Sequence, residues 1–336
     1  MLYDSLYAAR EIIRVRRVER SFWTMNIRHL RFFVALAREG HHGRAAASCN
    51  VTQPTLSEAV RQLERELGVP LVHRNGQRYR GLTAEGERII GWAQRILADE
   101  DALTQELTQI RGSLAGELRF GVIPAAMPVT PLLTSLFHRN HPLVTLKIIS
   151  HTSAEIQRGL LSGELEAGLT YTENEPLRSV RTHLLYRERY LLLTPVGTHF
   201  AGKTKVTWRE AAQLPLCLLT PDMQNRRIID RLFVEGGGAP KIAVETNSVL
   251  SLVAHVRSGE WSSVLPHTFL TVLGPYGARL QGLRAMPLVK PEAEQAIGLV
   301  VSEREPLPPL ARALLEVTRQ AEFSHMIERA TSAPPV

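Results

Sequence analysis

The sequence predicts an α/β protein in three parts: a small, mainly helical N-terminal domain, one long helix, and a larger C-terminal domain of alternating strands and helices. Three observations support this prediction. Residues 44–83 have the spacing of two short helices and a hairpin, apolar residues within 83–111 recur every three or four positions, and strand and helix signals alternate from residue 116 onward. At 336 residues, the chain is long enough for two or three domains.

The stretch 44–83 is predicted to form two helices, a tight turn and a basic hairpin. Alanines favour a first helix over 44–49. Thr52 is suited to cap the second helix, and Gly68 is suited to end it. The dipeptide Asn75-Gly76 is a strong signal for the turn of a hairpin.

The second of these helices is predicted to enter a DNA major groove. Leu56, Val60, Leu63 and Leu67 form one apolar stripe, which leaves a polar face turned outward. We expect base-edge reading from Gln53, Thr55, Ser57, Glu58 and Arg61, and phosphate contacts from Arg65, Arg74, Arg78 and Arg80. The full set of candidate DNA-binding residues is Arg44, Thr52, Gln53, Pro54, Thr55, Ser57, Glu58, Arg61, Gln62, Arg65, Arg74, Arg78 and Arg80.

The excess positive charge lies in the first quarter of the chain. The net charge is +7; residues 25–82 carry nine arginines against four acidic residues, residues 1–24 carry five against three, and the remainder is neutral. This distribution is typical of nucleic-acid binding confined to one domain, and on charge alone the alternative is a solvated basic surface. No apolar run approaches the roughly 18 residues of a membrane helix and no secretory signal is visible, so we expect a cytoplasmic protein.

A long helix is predicted over 83–111. Its apolar residues are spaced alternately by four and three, as in the seam of a coiled coil, with Glu100 as the one polar interruption. The predicted dimerisation residues are Ile89, Ala93, Ile96, Leu103, Leu107 and Ile110. The alternative is a helix that packs on its own domain.

From residue 116 the chain alternates between strand and helix patterns. Strands are predicted over 117–123, 143–149, 166–170, 190–194, 216–219, 241–245, 262–265 and 296–301, and helices over 128–139, 153–162, 208–213, 223–235, 249–257 and 308–321. Such alternation predicts parallel, doubly wound sheets covered on both faces.

The N-terminal stretch closely resembles the winged helix-turn-helix of LysR-type transcriptional regulators. The matching positions include Leu30-Arg31-Phe32-Phe33, Ala45-Ala46, 52–57, Leu67-Gly68-Val69 and 82–86. The chain departs from the family at His41-His42-Gly43, where Ser-Phe-Thr is usual, and at Val72, where Phe is usual. Residues 1–24 precede the start of the family pattern at Met25 and represent either a start codon assigned too early, which we favour, or a basic arm.

The resemblance implies a domain plan and a function. Residues 25–82 would bind DNA, 83–111 would form the linker and dimerisation helix, and 112–330 would form a two-lobed effector domain like a type 2 periplasmic binding protein, with a tail at 331–336. Lobe one would comprise about 116–186 plus 299–330, and lobe two about 187–298. The implied protein is a ligand-responsive transcriptional regulator and not an enzyme, with a double-stranded DNA operator, RNA polymerase and a second or further copies of itself, as a homodimer or homotetramer, as partners.

Candidate effector-binding residues lie where strands end and helices begin. They are Ala125, Met127, Thr152, Ser153, Thr170, Gln224, Asn225, Asn247 and Ser262. Hydroxyls, amides and free helix N–H groups suit a small anion such as a carboxylate, although each Ser, Thr or Asn could instead be an ordinary helix cap. The second half also resembles a LysR subgroup associated with one-carbon metabolism, which would make formate or another small carboxylate the inducer.

No cofactor or metal is expected. Residues 197–204 match the phosphate-binding loop pattern letter for letter, but the residues that follow are β-like rather than helical, so we interpret them as a surface loop. Adjacent histidines such as His41-His42 are a poor chelating pair. The remaining alternative is a small-molecule-binding protein or enzyme with an incidental basic N-terminal domain.

Overall fold

The computed structural model describes residues 25–75, 78–173, 175–197, 200, 202–273 and 282–332. The chain divides into two compact units, Met1–Leu97 and Ala98–Val336. The predicted N-terminal extension 1–24 lies outside the described residues, as do 333–336 of the predicted tail, whereas Thr331 ends the last helix.

The N-terminal unit is three helices followed by a hairpin. Its elements are α1 (Ile27–Glu39), α2 (His42–Ser48), α3 (Gln53–Leu67), β1 (Val72–Asn75) and β2 (Arg78–Leu82). One core joins them, built around Leu30, Phe33, Leu56, Val60 and Leu63. Because alanine lets helices approach closely, the buried Ala45 and Ala46 bring α2 against this core.

The long helix α4 runs from Ala84 to Ile110, and the division between the two units falls within it. Ala93 is buried in the N-terminal core, and Ile89 and Ile96 pack against that core. Leu103, Leu107 and Ile110 are exposed. The first half of the predicted seam therefore packs on its own domain, which was the alternative interpretation. For the second half, pairing with another chain stays a prediction.

Lobe one of the C-terminal unit is a five-stranded sheet in the order β4-β3-β5-β13-β6. Its strands are β3 (Gly116–Val122), β4 (Val144–Ser150), β5 (Ala167–Tyr171), β6 (Val180–Glu188) and β13 (Gln295–Ser302). Its helices are α5 (Thr130–Asn140), α6 (Ser153–Ser162), α11 (Pro309–Thr318) and α12 (Ala321–Thr331). The prediction of parallel sheets holds for β3, β4 and β5. It is wrong for β13, which runs antiparallel to both of its neighbours because it re-enters this sheet from lobe two.

Lobe two contains a four-stranded sheet in the order β11-β7-β12-β8 and a parallel pair, β9 and β10. The strands are β7 (Tyr190–Pro195), β8 (Val206–Thr207), β9 (Pro215–Leu219), β10 (Lys241–Thr246), β11 (Ser263–Pro266) and β12 (Leu283–Val289). The helices are α7 (Trp208–Ala211), α8 (Gln224–Glu235), α9 (Val249–Arg257) and α10 (Leu270–Leu273).

The chain crosses between the lobes twice. The first crossing joins Glu188, the end of β6, to Tyr190, the start of β7, and the second lies between Val289 and Gln295. The predicted boundaries at 186/187 and 298/299 therefore fall inside β6 and β13. The first boundary is displaced because no strand was predicted over β6. The second is displaced because the hydrophobic pattern located β13 but did not indicate which sheet it joins.

Candidate nucleic-acid interface and effector cleft

Helix α3 presents a polar face on an apolar stripe, as the spacing predicts. Thr52 Oγ1 accepts a hydrogen bond from the backbone N–H of Thr55 at 3.4 Å, and Gly68 closes the helix in the left-handed conformation with φ 70°. Leu56, Val60 and Leu63 are buried. The predicted residues Gln53, Pro54, Thr55, Glu58, Arg61 and Arg65 are exposed, and Ser57 and Gln62 are partly exposed.

The charged side chains on this face contact one another. Arg65 Nη2 donates to Glu58 Oε1 at 2.6 Å and to Gln62 Oε1 at 2.6 Å, and Arg61 Nη1 lies 3.5 Å from Glu58 Oε2. The guanidinium of Arg65, followed by that of Arg61, holds the pKa of Glu58 below its usual value. The acid thus restrains two of the arginines that are predicted to contact DNA.

The departure His41-His42 from the family pattern has a structural role. His41 is the N-cap of α2, and its Nδ1 accepts from the backbone N–H of Gly43 at 3.1 Å. His42 is buried, with its ring edge toward Tyr79 of the hairpin and its Nδ1 3.3 Å from Ser57 Oγ. The sequence pattern did not reveal this contact, which occupies one side of the Ser57 hydroxyl.

The hairpin lies beside α3 in the same unit. Strands β1 and β2 are antiparallel, with Arg74 opposite Tyr79. Arg80 is exposed, whereas the side chains of Arg74 and Arg78 lie outside the described residues. Arg44 is also exposed, and its guanidinium donates to the carbonyl of Glu39.

Five of the nine predicted effector residues line one cleft between the two lobes. Ala125 lies in the turn after β3, Thr152 and Ser153 lie at the start of α6, and Gln224 and Asn225 lie in the first turn of α8. The cleft leaves about 10 Å³ for the centre of a water molecule, which is room for roughly one water. Asn247 lies at a wider mouth of about 360 Å³, together with Thr152, Met223 and His151.

The other three predicted effector residues are not in the cleft lining. Thr170 is buried behind it and donates from Oγ1 to Ser153 Oγ at 3.0 Å. Ser262 is buried and donates to Thr194 Oγ1 at 2.9 Å. Met127 packs against the hydrophobic core. The sequence pattern therefore did not distinguish residues that line the cleft from buried residues that are hydrogen-bonded to other side chains or packed on the core.

Contacts across the cleft involve residues that the sequence did not single out. Arg227 of α8 binds Glu175 of lobe one through Nη2, at 2.7 Å and 2.9 Å from its two carboxylate oxygens. Tyr171, at the end of β5, lines the cleft and accepts from Asn225 Nδ2 at 2.8 Å. These partners are separated by about 50 residues in the chain, so local sequence patterns carry no signal for them.

Both cysteines are free thiols, and they lie in different units. Cys217 is fully buried in β9, and this burial raises the pKa of its thiol to about 11. Cys49 is partly buried. Of the described helices, none combines the length and hydrophobicity needed to cross a membrane.

Comparison with known proteins assigns both parts of the chain. Residues 27–87 match the family model "Bacterial regulatory helix-turn-helix protein, lysR family", and residues 111–322 match "LysR substrate binding domain". The chain belongs to the LysR family of transcriptional regulators, with an N-terminal DNA-binding domain and a C-terminal effector-binding domain, which confirms the predicted family and fold class. Members of this family are regulators of transcription, not enzymes.

Individual relatives resemble the chain along most of its length. A probable hydrogen peroxide-inducible genes activator from Streptomyces viridosporus is 32% identical and covers 76% of this chain and 82% of its own. The structure of a full-length OxyR variant from Pseudomonas aeruginosa is 27% identical, with a TM-score of 0.69, and covers 92% of this chain and 97% of its own. The structure of full-length CbnR with its target DNA shares the fold at 23% identity, with a TM-score of 0.64, over 88% of this chain and 99% of its own.

Proposed function

We propose that residues 25–82 read a double-stranded operator with α3 in the major groove, that 83–111 link two such domains, and that 112–330 bind the effector. The observation that carries the proposal is the exposed polar face of α3 on a buried apolar stripe. Gln53, Thr55, Ser57, Glu58 and Arg61 would contact base edges. Arg65 and the hairpin arginines would contact phosphates, with Arg44, Thr52, Pro54 and Gln62 beside them at the groove.

The active form would be a homodimer or homotetramer. Leu103, Leu107 and Ile110 project from α4 and are exposed in the single chain, at the three-and-four spacing of a helix pair. Two recognition helices held together would read two half-sites, so discrimination between sequences would multiply. On this proposal the protein works in the cytoplasm with RNA polymerase as a further partner, as expected of a regulator that acts at promoters.

The effector would be a small anion, with formate or another small carboxylate as our choice. The N-termini of α6 and α8 meet at the same cleft, so the backbone N–H groups of their first turns and two helix dipoles favour negative charge there. The wider mouth of about 360 Å³, beside Thr152 and Asn247, has room for a ligand of a few atoms. Thr152 acts in part as a helix cap, because its Oγ1 accepts from the backbone N–H of Glu155 at 3.2 Å and the Glu155 carboxylate accepts from the backbone N–H of Thr152 at 2.8 Å. This leaves Ser153, Gln224 and Asn225 as the stronger candidates.

Sensing of peroxide through a thiol is not part of the proposal, although the names of several relatives mention hydrogen peroxide. A thiol that reacts with peroxide must be accessible and readily ionised. Cys217 is neither, since it is fully buried and its pKa is raised to about 11.

A thermal-shift screen of the full chain tests the effector assignment. Formate, acetate and larger carboxylates are compared with chloride at equal ionic strength. A ligand at 100 times its dissociation constant is expected to add about 2.7 kcal/mol of stability. Asn225→Ala should abolish the shift, whereas Ser262→Ala, a change outside the cleft lining, should retain it; a shift that survives Asn225→Ala would place the ligand elsewhere.

A further inference from the structure

Glu188 occupies the point where the two lobes are joined. It is the last residue of β6, and Tyr190 begins β7 of lobe two just beyond it. Glu188 also pairs with Gln295, the first residue of β13, directly after the second crossing. The residue therefore lies beside both connections between the lobes, and it is fully buried.

A chain of hydrogen bonds runs from Glu188 through lobe one to lobe two. Asn225 Nδ2, at the start of α8, donates to Tyr171 Oη at 2.8 Å. Tyr171 Oη, at the end of β5, donates to Glu188 Oε1 at 2.6 Å. Within the described part of the chain, the second oxygen, Oε2, is buried without a hydrogen-bond partner.

The groups that face Glu188 do not neutralise a negative charge. Burial raises the pKa of Glu188 to about 8, and the nearby hydroxyls of Tyr171 and Tyr190 lower it only in part. The pKa values of Tyr171, Tyr186 and Tyr190 are themselves raised well above 10, chiefly by burial, so these side chains are uncharged. The positive charge of Arg231, on α8, partly opposes this rise in the pKa of Tyr190.

The charged groups on the adjoining chain are directed to other partners. Arg189 Nη2 donates to the carbonyl of Thr331 at 3.0 Å. His267 contacts the Arg189 backbone, and burial lowers its pKa to about 4, so it is neutral. A buried carboxylate that accepts from one hydroxyl is costly, and a neutral carboxylic acid in the same place costs much less.

We propose that Glu188 is a positioning residue of the effector cleft. Through Tyr171 it holds Asn225 in place, and it couples closure of the two lobes to the binding of one proton at its carboxyl group. When Glu188 ionises, separating α8 from Tyr171 admits water to the carboxylate and relieves its burial. Closed lobes therefore retain the proton and open lobes release it. The proposal depends on the proposed function only for the identity of the cleft, since the coupling itself needs no effector.

A second contact between the lobes supplies a matched control. Arg227 and Glu175 form an ion pair near the mouth of the cleft, and both side chains are well exposed, at 40% and 38%. This pair does not include Glu188, Tyr171 or Asn225, so its loss leaves the proposed proton coupling intact. Glu175→Gln should weaken closure to the same extent at both pH values.

Amide hydrogen exchange of the full chain without effector tests the proposal. The readout is protection of the first turns of α8, corrected for the intrinsic pH dependence of exchange, with α3 as an internal reference. In the wild type, protection should fall by more than about tenfold from pH 6 to pH 8, because closed lobes hold a proton that open lobes lose. Glu188→Gln keeps the cluster neutral and should remove this fall.

Unchanged protection in the wild type, or the same fall in Glu188→Gln, would overturn the proposal. Should Glu188→Gln not fold, Tyr171→Phe replaces it. That variant removes both hydrogen bonds of the chain and should show low protection of α8 already at pH 6, with little further change at pH 8; protection equal to that of the wild type at pH 6 would refute the coupling. Failure to find an operator or effector would contradict the proposed function and leave this readout unaffected.

Discussion

Arg65 Nη2 donates to Glu58 Oε1 at 2.6 Å, which joins a predicted phosphate contact to a predicted base contact on the exposed face of α3. Both side chains are more than half exposed. Because Arg61 also lies 3.5 Å from the same carboxylate, one acid restrains two cations on the surface that would face DNA. Binding to duplex would therefore exchange this internal pairing for contacts with phosphates and bases.

Glu58→Gln should raise the affinity for unrelated duplexes and lower discrimination. The change removes a negative charge from the DNA-facing surface and frees Arg65 for a phosphate, so the slope of log affinity against log salt should steepen by about 0.9. Filter binding on random duplex at several salt concentrations measures both effects. Glu322→Gln, which removes a similarly exposed acid in the C-terminal unit, is the control; equal slopes for the two variants would argue against the assignment.

Arg80→Ala should weaken binding to all duplexes alike. Arg80 is exposed on β2 beside α3, where a phosphate contact carries no sequence information. The salt slope should flatten by about one, with the ratio of specific to nonspecific affinity unchanged. Arg139→Ala, an exposed arginine of the C-terminal unit, should leave the slope as it is. A change in sequence preference in Arg80→Ala would instead make Arg80 a base reader.

Leu107→Glu should dissociate the oligomer. The side chain is 48% exposed in the single chain, between the exposed Leu103 and Ile110, and a charge there would be buried against a second helix. Sedimentation velocity should show a shift toward the monomer with the fold retained by circular dichroism. Val196→Glu, at a more exposed apolar residue in a loop of lobe two, serves as the comparison. An unchanged sedimentation coefficient for Leu107→Glu would remove α4 from the interface.

Stability should fall in acid because of His267. Burial and Arg189 lower the pKa of His267 to about 4 from its ordinary 6.5, so the unfolded chain binds a proton that the folded chain does not. The contribution is fully present above pH 6.5 and is lost as pH falls toward 4, with a limit of roughly 3 kcal/mol. Urea unfolding at several pH values measures this contribution to the free energy of unfolding. His267→Asn keeps an acceptor near the Arg189 N–H, and the difference in unfolding free energy between this variant and the wild type should become smaller as pH falls. A difference in unfolding free energy that stays constant with pH would exclude His267 as the cause of the loss of stability in acid.

Local signals explain what could be predicted from the sequence. The bounds of α3, Gln53–Leu67, were predicted correctly because Thr52, Pro54 and Gly68 act within a few residues of themselves. By contrast, β6 and β12 were missed. β6 carries two arginines, Arg181 and Arg187, at exposed positions, which weakens its apolar pattern. β12 contains Pro287, and a proline within a run of residues argues against a strand because it cannot donate a backbone hydrogen bond.

The same distinction, between residues with a local sequence signal and residues without one, applies to the candidate site. Ser153 and Asn225 could be found because each begins a helix after a strand. Glu188 could not, since its importance comes from Tyr171, 17 residues before it, and from Asn225 beyond that. Ser262 was placed in the cleft because it lies where the family that the sequence resembles usually carries glycine, but its hydroxyl donates to Thr194, a partner 68 residues away. Local pattern identifies helix caps, whereas burial and long-range pairing decide which polar groups remain available to a ligand.

Selection of duplexes from a random pool by the full-length wild type and by Arg61→Ala, at one fixed salt concentration, tests the central claim that the exposed face of α3 reads DNA sequence. The wild type should enrich a site with two related half-sites, and Arg61→Ala should lose preference at one position in each half-site, by about 1–3 kcal/mol. Enrichment of the same site with the same preference by Arg61→Ala, or no enrichment by the wild type, would contradict it.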